Sequence, residues 1–146
     1  MNNETSDYKG SFTGTFTLHY ENGHVHVQKF NAKTVNLKTI FAEGIPRYQA
    51  IGTETPINES IVITIGDRVE NGSHLVKPSD PANSRDIVII NGFKNGVLWS
   101  ATEGNIHFFR DNDSIIVKHL DFIGIMDEIK TSFLGERINI SFIPKQ

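Results

Sequence analysis

The stretch Ser11-Phe12-Thr13-Gly14-Thr15-Phe16-Thr17-Leu18-His19-Tyr20-Glu21-Asn22-Gly23-His24-Val25-His26-Val27-Gln28-Lys29-Phe30 decides the fold. Asn22-Gly23 stands at its centre, and this dipeptide favours a two-residue hairpin turn because both positions take positive φ. Apolar and polar residues alternate on either side, the period of a strand with one buried face. A two-residue loop sets Glu21 opposite His24, Tyr20 opposite Val25 and His19 opposite His26. Phe12, Phe16, Leu18, Tyr20, Val25 and Val27 then share one face. Thr13, Thr15, Thr17, His19, Glu21, His24, His26 and Gln28 share the other. The reading predicts that residues 11–20 pair with residues 24–31 over a buried aromatic face.

Outward from the hairpin, short alternating segments and turn signals continue. Strand patterns run over residues 33–41, 48–52, 60–65, 87–90, 97–102, 105–110, 114–126 and 137–143. Gly44-Ile45-Pro46, Asn71-Gly72, Asn91-Gly92, Asn95-Gly96 and Asp111-Asn112-Asp113 punctuate them, and Lys77 to Ser84 is a breaker-rich loop. Only residues 126–133 suggest a turn or two of helix, with Gly135 to end it. Some nine to eleven strands joined by tight turns predict an all-β, single-domain antiparallel β-sandwich, jelly-roll-like, or a small β-barrel. Residues 1–10 read as a polar tail and 11–146 as the β domain. Ile61, Ile63, Ile87, Ile89, Ile138, Ile140 and Phe142 complete the expected core.

Composition narrows the function classes. The 146 residues carry 14 Lys and Arg against 17 Asp and Glu, a net charge of −3. The basic residues are scattered, so a nucleic-acid partner is not expected. The absence of cysteine excludes disulfides, thiolate metal sites and cysteine nucleophiles. No apolar run approaches the ~18 residues of a membrane-spanning helix, and no membrane partner is expected. The N-terminus has neither a basic segment nor an apolar one of the secretory kind. The expectation is a cytoplasmic protein if the chain is complete, or an exported one if a signal peptide has been removed.

Four groups of residues offer chemistry. His19, Glu21, His24 and His26 gather imidazoles and a carboxylate on the polar side of the hairpin, the donors that zinc, copper or nickel prefer. A solvated, threonine-rich face accounts for the same composition. His119 and Asp121 lie two apart in a strand and share a face with Ile115, Val117, Ile123 and Ile125. In apolar surroundings they would make a general acid–base pair, whereas a bulge midway along the strand would move them outside. Asp111 and Asp113 offer oxygen ligands in a tight turn without the rest of an EF-hand, and Asx-rich turns also form for conformational reasons alone. Trp99 is a candidate sugar-stacking platform, but it shares phase with Val97 and Ala101, which favours a core anchor.

No nucleophile elbow, phosphate-binding glycine loop or His-Glu-x-x-His motif is present. The leading functional expectation is therefore a non-enzymatic binding or interaction module for a carbohydrate, a small molecule or a protein. No cofactor is expected, and a divalent metal at the hairpin is the one candidate. One alternative is a small barrel hydrolase or isomerase with His119 and Asp121 in a cavity. The other is a structural subunit that assembles as a homo-oligomer.

Overall fold

Alternation builds ten strands, and turn chemistry joins most of them to their sequence neighbours. The computed structural model describes residues 7–55, 57–94 and 96–143. The strands are β1 (Tyr8–His19), β2 (Val25–Asn31), β3 (Thr34–Ala42), β4 (Ile45–Glu54) and β5 (Glu59–Gly66), followed by β6 (Gly72–Val76), β7 (Val88–Lys94), β8 (Val97–Arg110), β9 (Ser114–Met126) and β10 (Ile129–Phe142). One 3-10 turn, Pro81–Asn83, interrupts the loop after β6, and there is no α-helix among the described residues.

All ten strands form one sheet in the order β2-β1-β10-β9-β8-β6-β7-β5-β4-β3, and β8 also pairs with β7. Pairing is antiparallel throughout except for one parallel bridge, Val76 with Val88. The sheet coils back on itself in a sandwich-like roll but does not close into a barrel. Its two edges, β2 and β3, are consecutive in sequence and join at a shared corner. There the Ala32 amide donates to the Phe12 carbonyl (3.0 Å) and the Lys33 amide to that of Thr53 (2.8 Å).

The inner faces meet over an aromatic centre. Phe16 and Phe133 have ring centroids 4.7 Å apart, Phe122 and Phe133 5.0 Å, and Trp99 and Phe122 5.4 Å. Several glycines make room for this packing, Gly52 and Gly92 among them. A Cβ on Gly52 would lie 2.6 Å from the Phe12 ring, and one on Gly92 would lie 2.7 Å from the Trp99 ring and 2.0 Å from the Ser60 carbonyl oxygen.

The opening hairpin forms, but with its register moved by one. His19 faces Val25, Leu18 faces His26 and Thr17 faces Val27. The loop has three residues, because the Tyr20 amide donates to the His24 carbonyl (2.9 Å) and the Gly23 amide to that of Tyr20 (3.0 Å). Only Gly23 of the Asn-Gly pair takes positive φ, +85°, the geometry of a turn followed by a glycine bulge. A one-residue slip turns every side chain of a strand over. Val25 and Val27, expected inside, are 56% and 57% exposed, while Phe30 takes the buried position.

Other departures have similar causes. In the apolar run 87–90, Val88 and Ile90 are buried rather than Ile87 and Ile89, because four consecutive apolar residues carry no phase. Phe142 lies at the strand end, 37% exposed, edge-on to Tyr8. Residues 126–133 are not helical: Asp127 and Glu128 (φ 51° and 64°) turn β9 into β10. Asn91-Gly92 is inside β7, and the β7–β8 turn contains Gly96 (φ 78°) and Asn95, which is outside the described residues. Strand β1 begins at Tyr8, within the expected tail, whereas residues 1–6 and 144–146 lie outside the described residues.

Three bulges bend the long strands. Thr102 is the extra residue in β8, Lys118 in β9 and Glu136 in β10. The one at Lys118 matters most. Ile115 and Val117 pack inward before it, and Leu120, Phe122 and Met126 pack inward after it.

Candidate functional site

The roll has two ends, and they differ in chemistry. At the end where β1, β8 and β9 lie at Tyr8, Arg110 and Ile115, a cavity of about 80 Å³ is hemmed in by Tyr8, Leu37, Tyr48, Arg110 and Ile115. The Arg110 guanidinium lies 3.5 Å from the centroid of the Tyr48 ring and covers it. Arg85 makes a two-pronged pair with Asp67 nearby (3.0 and 2.7 Å), and this hydrogen bonding holds the Asp67 carboxyl below its usual value. This end is filled.

The opposite end is open. A pocket of about 220 Å³ is lined by Leu18, Tyr20, Val97, Trp99, Met126 and Ile129, with Lys94 and Asp127 as its charged members. Strand phase puts these side chains there. Leu18 and Tyr20 continue the inward face of β1, and Lys94 follows the inward residues Val88, Ile90 and Gly92 along β7. The Lys94 ammonium donates to Gln28 Oε1 (2.8 Å) and lies 3.8 Å from Glu59 Oε1, which also accepts from Gln28 Nε2 (2.8 Å). Glu59 is 5% exposed, and its second oxygen has no hydrogen-bond partner. An amide thus links a buried carboxylate to an ammonium that reaches the pocket wall. Such a network costs desolvation energy, and its geometry fixes where the ammonium points.

Sequence reasoning missed Lys94, Glu59 and Gln28, although a signal existed. Glu59 precedes Ile61, Ile63 and Ile65 at the same period of two, and Gln28 stands two before the buried Phe30. A charged or amide side chain in the inward phase of a strand marks a polar group brought into the roll.

The expected sites fare differently. The register of the hairpin places His19 on the outer face beside Val25, while His26 lies on the opposite face beside Leu18. His24, paired with Tyr20, shares the His26 side, and Glu21 is in the loop. The shared face that a metal site at His19, Glu21, His24 and His26 requires is therefore absent. Among the described residues no three His, Asp or Glu side chains converge on a common metal position.

His119 and Asp121 do meet, with His119 Nε2 2.5 Å from Asp121 Oδ2, but on the outer face. The Lys118 bulge reverses the strand phase just before them, so no enclosed cavity surrounds the pair. Trp99 is buried (4% exposed), stacked on Phe122 on one side, and lines the open-end pocket. Asp111 Oδ1 accepts from the Asp113 amide (2.8 Å) and from Ser114 Oγ (3.1 Å), and the amide bond above all holds its carboxyl below the usual value. The Asp111–Asp113 segment thus has a conformational use for its first carboxylate.

Comparison with known proteins gives no match: no family model, no curated protein and no solved structure is significantly similar to this chain.

Proposed function

We propose that this chain is a non-enzymatic binding module that takes a small, mainly apolar molecule with a polar head into the open end of its roll. The observation that carries this reading is the pocket itself, walled by Leu18, Tyr20, Val97, Trp99, Met126 and Ile129 with Lys94 as its cationic member. An apolar wall with a few placed polar groups is the usual make-up of a small-molecule site. The volume, about 220 Å³, lies below the ~300 Å³ lower bound for drug-sized ligands and favours a smaller one.

The only tryptophan in the chain lines this pocket, so its emission is a direct readout. Octanoate and octanol, a charged and an uncharged head on the same chain, are suitable probes. Saturable change in Trp99 emission is expected, and it should be lost in Val97→Phe and Met126→Phe, which fill the pocket. A flat titration to millimolar probe, or binding indifferent to both substitutions, overturns the proposal.

Self-association is a second reading, supported by the unpaired edges of β2 and β3 and by Val25 and Val27 exposed on β2. Sedimentation showing a monomer at all concentrations removes it. For a cavity enzyme, the position of His119 and Asp121 outside the roll weighs against the pair as its acid and base.

A further inference from the structure

Three of the six histidines, His74, His107 and His119, border one shallow groove over β6, β8 and β9; His107 and His119 lie on the outer face, whereas His74 stands opposite the buried Ile106. Two of them are direct cross-strand partners. Ser73 stands opposite His107, and His107 stands opposite His119. Such partners have Cβ atoms within ~5.5 Å of each other, a span that one metal ion bridges through two imidazoles. The Lys118 bulge sets His119 in this row by turning it away from the core.

Each of the two rings has one nitrogen already engaged. His107 Nδ1 lies 2.5 Å from Ser73 Oγ, and His119 Nε2 lies 2.5 Å from Asp121 Oδ2. The Asp121 carboxylate is in turn contacted by Asn105 Nδ2 at 3.4 Å. Metal-binding histidines are characteristically held this way, with one ring N–H donated to an oxygen so that the other nitrogen presents its lone pair. His74 is engaged differently, with Nε2 on the Glu70 carbonyl and its ring against Phe108.

We infer that His107 Nε2 and His119 Nδ1 form a two-imidazole site for a borderline divalent ion of the copper, nickel or zinc type, with Ser73 and Asp121 as positioning residues. Imidazole suits these ions, and copper binds most tightly among them. The remaining coordination positions face solvent, where water or an exogenous ligand completes the shell. The site lies on the outer face of the sheet and is independent of the pocket proposal.

Copper(II) titrated into the full chain, followed by calorimetry and electron paramagnetic resonance, tests it. One ion per chain is expected, with nitrogen coupling from two imidazoles. His107→Asn and His119→Gln should each weaken binding at least about tenfold, and Asp121→Asn should also weaken it by about that factor. A variant lacking His19, His24 and His26 should bind as tightly as the parent. Circular dichroism verifies that the variants fold, which is expected because both rings lie on the outer face. No binding to the parent overturns the inference. So does full affinity in a folded His107→Asn/His119→Gln double variant, or loss of binding only in the hairpin variant.

Discussion

The two ends of the roll handle charge in opposite ways. At the filled end, Arg110 lies over Tyr48 and Arg85 grips Asp67 where water still reaches the guanidinium. These contacts seal the end at little desolvation cost. At the open end, Glu59 and Lys94 point inward, only 6% and 21% of their side chains being exposed, with Gln28 as the link. A well-packed apolar pair would serve stability at least as well there. A buried pair kept at the open end and a surface pair kept at the filled one point to different uses. The first lies beside the pocket with Lys94 in its wall, and the second lies where water reaches the guanidinium.

Phe16 lies between the ends and serves both, touching Phe133, Trp99, Phe30 and Phe122. Phe16→Ala should cost about 3–5 kcal/mol in chemical denaturation. A loss under about 1 kcal/mol would show that the two ends do not share one core. Lys94→Met comes next. It leaves the Glu59 carboxylate buried without its cation, for an expected loss of about 3 kcal/mol, and adding Glu59→Gln should restore most of it. Equal stability of the single and double variants would erase the contrast between the ends.

Arg110→Ala should cost only about 0.5–2 kcal/mol while opening the filled end to solvent. Gly23→Ala, in the β1–β2 turn, should cost about 1 kcal/mol because its φ is positive. The last effect is one of titration. Asp67 is held below its ordinary value by Arg85, so its contribution to stability is present above that ordinary value and is lost as pH falls through the lowered one. In Arg85→Ala the Asp67 carboxyl should return to the ordinary range by NMR titration, with no change at Asp111.

Much of the architecture was legible from the residues. Ile61 and Ile63 alternate cleanly and are buried, and so do Ile138 and Ile140. What failed was phase. In the hairpin, a glycine at an Asn-Gly pair is compatible with a two- or a three-residue loop, and one residue of difference turns β2 over. In β9, Ile115, Val117, His119 and Asp121 read as one face until the bulge at Lys118 divides them. The open-end pocket was hidden for another reason. Lys94, Glu59 and Trp99 belong to separate strands, and only the coiling of the sheet brings them to one end.

The bulge at Lys118 has a further consequence for how this chain tolerates change. Strand β9 is written in two reading frames, and Lys118 is the spacer between them. Deleting that one residue would leave every neighbour chemically intact yet force a choice. Either Ile115 and Val117 or Leu120 and Phe122 would turn toward water. A lost codon at this position is therefore equivalent to inverting half a strand, whereas substituting Lys118 by another polar residue changes only an exposed side chain.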